Sequence, residues 1–193
     1  MIFEIISNLW FWIFYYFIFY IFILFMYFYK GLRETFFLSN DKYDNIKRRI
    51  AGIISVIMFL IPPLVISILP QNRLSYHNIF SLFGGIIFFI GLAINITARR
   101  KIGFIPGLKI KDQLISTGIY GVIRHPIYLA NSLLVIGWSL LFAGTISLIF
   151  SFVYLLSYIP LIYFEERILL DEYGNEYIDY RKKTPYAIIP RLF

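Results

Sequence analysis

The sequence predicts an all-α integral membrane protein with five transmembrane helices. Of its 193 residues, 60% are hydrophobic and 15% are charged, whereas a soluble domain is about half apolar and a quarter charged. The apolar residues form five continuous runs, and a helix needs roughly 20 apolar residues to cross a hydrocarbon core about 30 Å thick. The basic residues cluster between those runs. These observations predict one small membrane domain.

The five predicted spans are residues 5–29, 50–69, 79–98, 127–142 and 146–164. The runs are continuous and lack the alternating pattern of a membrane β-barrel. The first run is too long for a cleavable signal peptide and has too few basic residues before it. Only Ala143, Gly144 and Thr145 separate the last two runs, so spans 4 and 5 are predicted to form a tight helical hairpin.

The distribution of positive charge predicts the topology. Of the 18 Lys and Arg residues, six lie between residues 30 and 49, six between 99 and 124, and five between 167 and 191. With five spans these segments share one side of the membrane, which the positive-inside rule assigns to the cytoplasm. The N-terminus then lies outside and the C-terminus is cytoplasmic. Anionic lipids account for the net charge of +7 without a nucleic-acid partner.

Prolines and glycines indicate where the helices bend and end. Pro62, Pro63 and Pro160 lie inside predicted spans. Each should kink or break its helix, because proline lacks an N–H and clashes one turn back. The helical pattern of span 5 continues beyond the membrane to Tyr173, and Gly174 is expected to end it. A second short helix is predicted from Glu176 to Lys183.

The first polar cluster lies where a basic cytoplasmic segment meets span 4. Pro126 suits the first turn of a helix, so Arg124 and His125 lie at a helix N-terminus, which attracts anions. Tyr128 lies on the same face as His125, and Asn131 extends that face by a turn. The cluster is either the edge of a pocket for a carboxylate or polar cofactor, or an interfacial anchor whose side chains lie at headgroup level.

Glu165 and Glu166 form a second polar cluster just beyond span 5. Ionised side chains near hydrocarbon are costly and are usually retained for a partner or a function. They predict either a cationic ligand or an ion pair with Arg124. The chain has no cysteine and its two histidines are far apart, so no metal site is predicted. Rossmann, Walker and Ser-His-Asp motifs are absent from the sequence.

The ordered motifs resemble those of a known family. They are Gly118-x-Tyr120-x-x-x-Arg124-His125-Pro126-x-Tyr128, Glu165-Glu166 and Tyr173-Gly174-x-Glu176-Tyr177-x-x-Tyr180. This set, with a helical hairpin inside it, resembles the isoprenylcysteine carboxyl methyltransferases and their wider relatives, which include the phospholipid methyltransferases. The resemblance covers residues 101–193.

The resemblance implies a helical membrane enzyme that binds S-adenosylmethionine at its cytoplasmic face. The implied cofactor contacts are Asp112, Gln113, Leu114, Ile115, Tyr120, His125, Pro126, Ile127, Tyr128 and Glu165. Arg124, His125 and Glu165 are the implied catalytic residues, because a carboxylate suits the first two and cationic groups suit the third. Residues 99–193 would then be the catalytic half of one domain, after three N-terminal helices within residues 1–98.

One position departs from the family pattern. Where the carboxyl methyltransferases have an arginine one turn before the glutamate, this chain has Leu161. A lipid-like acceptor is expected to enter from the bilayer near Leu161 and Asn131. It is either an amine or a carboxylate held by another group such as Arg99. A carboxylate needs only positioning and dehydration, whereas an amine must first lose a proton to a base such as His125.

Three functional classes are compatible with the sequence. Methyl transfer to a prenylated or other lipid-like acceptor is the leading hypothesis, with phospholipid or amine N-methylation as its variant. The C-terminal region is also distantly similar to sterol-type membrane reductases, which would require NADPH. A non-catalytic membrane scaffold is the third class. The composition indicates an AT-rich microbial genome and hence a prokaryotic plasma membrane, with the active site facing the cytoplasm.

Overall fold

The computed structural model describes residues 8–29, 53, 57–102 and 114–189, and these residues are mostly helical. The helices are α1 (Leu9–Phe28), α2 (Ile57–Ile68), α3 (His77–Ile102), α4 (Pro126–Leu141), α5 (Thr145–Tyr173) and α6 (Asn175–Lys183), with a 3₁₀-helix at Gly118–Gly121. No strand occurs in the described ranges. The starts of the first two predicted spans, with Asp112 and Gln113, lie outside them.

Most of the predicted helix ends are confirmed. Pro126 lies in the first turn of α4, where its missing N–H leaves no donor unsatisfied. α5 extends to Tyr173, and Gly174 follows with a φ of 52°, a left-handed conformation that glycine adopts readily. Residues 142–144 separate α4 from α5, which confirms the tight hairpin. α6 begins at Asn175, one residue before its predicted start.

The prolines do not break the helices, so of the two predicted alternatives the kink stays a prediction. α2 continues through Pro62 and Pro63, and α5 continues through Pro160. Pro62 and Pro63 are fully buried, so packing against neighbouring helices supports the chain on both sides of the missing hydrogen bonds. Membrane helices tolerate proline under these conditions.

Glycines allow α3 and α4 to pack closely. A Cβ atom on Gly84 would lie 2.5 Å from the backbone nitrogen of Leu141. A Cβ atom on Gly137 would lie 2.5 Å from the backbone nitrogen of Phe88. Gly91 meets the backbone of α4 in the same way, with a nearest distance of 2.9 Å. Only glycine fits at such distances, as at other small-residue interfaces between membrane helices.

Hydrogen bonds join two connections between helices at the end of the bundle opposite α6. The Arg73 guanidinium donates to the carbonyl oxygens of Ser67 at 3.0 Å and Phe142 at 2.8 Å. The Leu74 N–H donates to the Ala143 carbonyl oxygen at 2.7 Å. These bonds link the α2–α3 connection to the α4–α5 turn and satisfy carbonyl groups near helix ends. Arg73, which lies outside the three basic clusters, therefore has a structural role.

Aromatic side chains from α1, α2 and α5 form the core. The rings of Tyr16 and Phe150 meet edge to face with centroids 4.9 Å apart, and the Tyr16 hydroxyl lies 2.8 Å from Ser157 Oγ. The ring centroid of Phe59 lies 5.0 Å from that of Tyr154. Buried tyrosines of this kind combine a large apolar area with a satisfied hydroxyl. The core holds α5 against the other helices, with the polar end of α5 beside the start of α4.

α3 presents a broad apolar surface to its surroundings. Large side chains that are 49–67% exposed include Ile79, Leu82, Phe83, Ile86, Phe89 and Ile90. Among the described helices, α3 and α5 are both long and apolar enough to cross a membrane. Contiguous apolar exposure of this kind marks a surface that another apolar phase covers. The surface of α3 agrees with the predicted membrane protein.

We expect Gly137→Ala to destabilise the protein, because the new methyl group collides with the backbone of α3. Overpacking of this kind lowers the free energy of unfolding by about 1–3 kcal/mol. The measurement is the melting temperature of the purified protein in detergent. Gly85→Ala is the matched control, since its Cβ would meet a Leu141 side-chain atom at 3.9 Å. Equal melting temperatures for the two variants would contradict the prediction.

Candidate active site

The segment before α4 is held by the C-terminal end of the described chain. The Arg124 N–H donates to the Tyr186 carbonyl oxygen at 2.9 Å, and the His125 N–H donates to the Ala187 carbonyl oxygen at 2.8 Å. We call residues 184–189 the C-terminal strap. Its pairing with the segment satisfies two backbone donors and fixes the direction in which both side chains enter the site.

α6 attaches the strap to the 3₁₀-helix. The Tyr180 hydroxyl donates to the Tyr120 carbonyl oxygen at 2.7 Å, and Thr184 Oγ1 donates to the Gly121 carbonyl oxygen at 3.3 Å. The Arg124 guanidinium also donates to the Thr184 carbonyl oxygen at 2.8 Å. This wall of the site was not predicted from the sequence. Tyr177 and Tyr180 of the C-terminal motif were the signal in the sequence from which it could have been predicted.

The His125 imidazole lies between two carboxylates of α5. Its Nδ1 is 3.3 Å from Glu165 Oε2, and its Nε2 is 3.3 Å from Glu166 Oε1. Consecutive side chains on a helix point about 100° apart, so a ring placed between them receives one carboxylate at each nitrogen. The Tyr128 ring lies parallel to the imidazole, with centroids 5.4 Å apart and planes 2° apart. His125 is therefore fixed in position and orientation.

The two carboxylates change the acid–base behaviour of His125. Burial of the ring opposes its protonation. The hydrogen bonds and negative charges of Glu165 and Glu166 outweigh burial and raise the pKa of His125. This histidine therefore takes up a proton more readily than an exposed one.

Glu166 has the structural role in this pair of carboxylates. Arg124 Nε donates to its Oε1 at 2.6 Å, and Arg181 Nε lies 3.7 Å from its Oε2. The side chains of Arg124 and Glu166 are 8% and 12% exposed. Burial disfavours the carboxylate, but hydrogen bonds from His125 and Arg124 outweigh burial and lower the pKa of Glu166 to about 2. Glu166 thus forms the ion pair that the sequence allowed.

Glu165 is the accessible carboxylate. Its side chain is 40% exposed, and the Tyr128 hydroxyl donates to its Oε2 at 2.6 Å. Desolvation of the carboxylate opposes its ionisation. The hydrogen bond and charge of His125 outweigh desolvation and lower the pKa of Glu165. The carboxylate is therefore ionised, held in place and open on one side. It is the group in this site that a cationic ligand can reach.

A chain of polar side chains leads from Tyr128 into the bundle. The Tyr128 ring stacks on that of Tyr158 with centroids 4.4 Å apart. The Tyr158 hydroxyl accepts from Asn131 Nδ2 at 3.2 Å, and Asn131 Oδ1 accepts from Asn95 Nδ2 at 2.8 Å. Asn95 Oδ1 in turn accepts from Arg99 Nε at 2.7 Å. The chain joins α3, α4 and α5. Asn131 and Arg99 were predicted from the sequence. Asn95 and Tyr158 belong to no motif and were not predicted.

Tyr120 has a buried hydroxyl beside the site. Its ring belongs to a small apolar cluster with Ala98 and Ile127, against which Ile115 and Tyr128 pack. Its hydroxyl has no hydrogen-bond partner among the described residues. A buried donor in this state is costly unless a ligand or water satisfies it. The hydroxyl therefore points to a missing partner at the position where the resemblance implies a cofactor contact.

The remaining predicted residues lie around this centre. Pro126 and Ile127 are buried in the first turn of α4, and Leu114 is partly buried at the start of the last described segment. Leu161 is 6% exposed and belongs to the main apolar core. The position that holds an arginine in the resembled family is therefore part of the packed interior here.

Comparison with known proteins identifies the family. The family model for phospholipid methyltransferases matches residues 79–176, which is slightly more than half of the 193 residues. The match includes both polar clusters. The chain belongs to the phospholipid methyltransferase family. Membership confirms the resemblance that the ordered motifs indicated.

Several curated relatives match part of the chain. The protein-S-isoprenylcysteine O-methyltransferase of Schizosaccharomyces pombe is 38% identical over 80 residues, which are 40% of this chain and 34% of that protein. A Delta(14)-sterol reductase of Mus musculus is 32% identical over 85 residues, 42% of this chain and 20% of the reductase. The nickel-cobalt-cadmium resistance protein NccN of Alcaligenes xylosoxydans xylosoxydans is 33% identical over 94 residues, 46% of this chain and 41% of NccN. The chain thus spans less than half the length of these relatives.

We expect Glu166→Gln to destabilise the protein more than Glu165→Gln does, because it leaves the buried Arg124 guanidinium without its carboxylate. Removing one partner of a buried pair lowers the free energy of unfolding by about 3–5 kcal/mol. Thermal denaturation of both variants in detergent at neutral pH measures the difference. The isosteric Glu165→Gln variant is the control for loss of a single charge at this helix end.

The pH dependence of stability gives a second readout for Glu166. Its pKa is about 2 in the folded protein and about 4.3 in an unfolded chain. Its contribution to stability is therefore complete above about pH 4.3 and is lost as the pH falls through about 2. We expect Glu166→Gln to remove this part of the acid-induced loss of stability. Parallel stability curves for wild type and variant between about pH 5 and 2.5 would show that Glu166 is not responsible.

Proposed function

We propose that this protein is an S-adenosylmethionine-dependent membrane methyltransferase with its active site around His125 and Glu165. One observation carries the proposal. It is the accessible Glu165 carboxylate, oriented by His125 and the Tyr128 hydroxyl, in a chain of the phospholipid methyltransferase family. A cationic sulfonium ligand needs an anionic group of this kind. The similarity to an isoprenylcysteine O-methyltransferase supports methyl transfer as the reaction.

The chemistry of the side chains fits this cofactor, which carries a carboxylate together with cationic amino and sulfonium groups. Glu165 would hold a cationic group, and the Tyr120 hydroxyl supplies a buried donor that has no partner among the described residues. The cofactor-binding residues that we propose are Asp112, Gln113, Leu114, Ile115, Tyr120, His125, Pro126, Ile127, Tyr128 and Glu165.

The cofactor, when bound, supplies a methyl group on a cationic sulfonium. The residues of the chain bind and orient the reactants and exclude water, which is sufficient for a carboxylate acceptor. Arg124 acts indirectly, because its ion pair with Glu166 holds that carboxylate beside His125 Nε2. For an amine acceptor, the base would be His125 in its neutral form or Glu165. The carboxylates raise the pKa of His125, which strengthens it as a base but also favours its protonated form.

We propose that the acceptor is a lipid-like molecule that enters from the bilayer. The exposed apolar side chains of α3 provide a lipid-facing surface on a helix whose other end, at Asn95 and Arg99, belongs to the polar chain of the site, and the apolar Leu161 takes the place of an arginine. Asn131 lies one turn further along α4 than Tyr128 and can contact the head of the acceptor. The acceptor is a prenylated or related carboxylate, or a phospholipid-type or other amine. The basic segments contact anionic membrane lipids.

We propose a topology with five spans, an outside N-terminus, and a C-terminus and active site on the cytoplasmic side of a prokaryotic plasma membrane. Residues 1–98 would provide three spans and residues 99–193 the catalytic half of a single domain. The last turn of α6 contains Arg181, Lys182 and Lys183, whereas the joined connections at the opposite end contain Arg73. This asymmetry of charge supports the orientation.

Single-cysteine variants test the orientation, since the chain has no cysteine of its own. We expect a membrane-impermeant maleimide to label Asn72→Cys in intact cells, and to label Lys182→Cys only after permeabilisation. Both side chains are exposed, so labelling in detergent serves as the control for reactivity. The reverse pattern in intact cells would overturn the proposed topology.

A membrane reductase is the second candidate function. Two curated relatives are Delta(14)-sterol reductases, one from Mus musculus and one from Methylotuvimicrobium alcaliphilum. A reductase of this kind would use NADPH rather than S-adenosylmethionine. A scaffold without catalytic activity would bind neither ligand.

We expect S-adenosylhomocysteine, and not NADPH, to raise the melting temperature of the detergent-purified protein. A ligand that binds only the folded state stabilises it by about 2.7 kcal/mol at a hundredfold excess over its dissociation constant. Glu165→Gln should reduce this stabilisation, because it removes the anionic group that faces the ligand. Asp171→Asn is the matched control, since Asp171 is an exposed carboxylate on the same helix.

The outcomes separate the three functions. Stabilisation by S-adenosylhomocysteine that Glu165→Gln reduces and Asp171→Asn retains supports the methyltransferase. Stabilisation by NADPH alone supports the reductase. A folded protein that responds to neither ligand supports the scaffold and overturns the proposed activity.

A further inference from the structure

Two aromatic rings lie nearly parallel to that of Tyr128, where α4 meets α5. The His125 imidazole is one of them, with centroids 5.4 Å and planes 2° apart. The other is the ring of Tyr158 on α5, with centroids 4.4 Å apart and an angle of 18° between the planes. Tyr158 belongs to the main apolar core. Tyr128 therefore connects the polar centre of the site with the packed interior of the bundle.

Tyr158 is the fixed member of this group of rings. The residue is 2% exposed, and the rings of Phe59 and Tyr154 meet it edge to face, with centroids 5.5 and 5.3 Å away. Its hydroxyl lies 2.7 Å from that of Tyr154 and accepts from Asn131 Nδ2 at 3.2 Å. A side chain in a close-packed interior has little room to change its conformation. Tyr158 thus presents a rigid surface to Tyr128.

The hydroxyl at the far end of the Tyr128 ring orients the accessible carboxylate. It donates to Glu165 Oε2 at 2.6 Å. Tyr128 and Glu165 belong to different helices, so this bond requires one particular rotamer of the Tyr128 side chain. Tyr158 lies seven residues before Glu165 on α5. Because seven residues make about two helical turns, both side chains project towards α4, where the Tyr128 ring lies.

We propose that Tyr158 is a positioning residue of the active site. Its ring holds Tyr128 in the rotamer that donates to Glu165, and the carboxylate is thereby oriented before a cationic ligand arrives. A group that is already ordered loses less conformational freedom on binding. The effect on ligand binding rests on the proposed methyltransferase function, whereas the effect of Tyr158 on Tyr128 can be measured without a ligand.

The histidines provide that measurement. The chain has two of them, so isotopically labelled histidine gives NMR signals from His125 and His77 alone, and His77→Gln assigns them. The Tyr128 ring current shifts the His125 signals as long as the two rings stay parallel. His77 begins α3, roughly 27 Å along the helix axis from Asn95 of the site, and serves as the reference. We expect Tyr158→Leu to shift the His125 signals and to leave those of His77 unchanged.

Two variants separate the loss of the Tyr158 ring from a general loss of stability. Tyr158→Phe keeps the ring, so it should retain the wild-type His125 signals, although its melting temperature falls because a buried hydroxyl is lost. Phe150→Leu removes a buried ring from the same core, where the rings that meet it are Tyr16 and Phe17. It should also leave the His125 signals unchanged.

A double-mutant cycle tests whether Tyr158 acts through the Tyr128 hydroxyl. The probe is S-adenosylhomocysteine, measured with the complete chain in detergent. We expect Tyr158→Leu to weaken its binding by about threefold to tenfold, which corresponds to ordering one additional side chain on binding. Tyr128→Phe should have a similar effect, since it removes the hydroxyl that orients Glu165. The double variant should bind no more weakly than Tyr128→Phe alone, because the two changes remove the same interaction.

Shifted His125 signals in Tyr158→Leu, with wild-type signals in Tyr158→Phe and Phe150→Leu, support the positioning role. Unchanged His125 signals in a folded Tyr158→Leu variant overturn it, as do equal shifts in Phe150→Leu or additive losses of affinity in the double variant. If the wild-type protein does not bind S-adenosylhomocysteine, the proposed function fails and the NMR signals still decide the role of Tyr158. Tyr158→Met, whose flexible side chain adapts to irregular spaces, replaces Tyr158→Leu if the leucine variant does not fold.

Discussion

The structure depends on neutralising two adjacent carboxylates where α5 leaves its apolar segment. Glu165 and Glu166 would be costly beside hydrocarbon without positive partners. Arg124 and His125 supply those partners from the segment before α4, and Pro126 then starts that helix without an unsatisfied N–H. The contact closes the polar end of the α4–α5 hairpin. The C-terminal strap completes it, because its carbonyl groups accept the backbone N–H groups of the same segment.

The two carboxylates are neutralised to different extents, and this difference leaves Glu165 available to a ligand. Arg124 and His125 both contact Glu166, so this carboxylate is satisfied within the protein. Among the described residues, Glu165 contacts the other nitrogen of the imidazole and the Tyr128 hydroxyl, and its side chain is 40% exposed. One glutamate therefore orders the site while its neighbour stays available to a ligand. A symmetric arrangement would have buried both charges and left no anionic group accessible.

Local signals in the sequence predicted the helix ends and the two polar clusters, whereas the links between helices depended on tertiary structure. Pro126 and Gly174 have backbone requirements that a sequence shows directly. The different roles of Glu165 and Glu166 arise from the positions of Arg124 and Arg181, which both approach Glu166 and which no spacing defines. Asn95 and Tyr158 were missed because a hydrogen bond between helices depends on their relative rotation, which the close glycine contacts of α3 and α4 determine. The continuity of α2 through Pro62 and Pro63 likewise depends on tertiary packing, since both prolines are buried.

Positive charge lies at a different position relative to Glu165 than it does in the carboxyl methyltransferases that the chain resembles. An arginine at position 161 would lie on α5, one turn from Glu165, and both charges would move with one helix. With Leu161 in the core, Arg99 carries positive charge on α3 instead, linked to α4 through Asn95 and Asn131. Because glycines hold α3 against α4 at backbone contact, the spacing between the two charges is set by helix packing rather than by a flexible side chain.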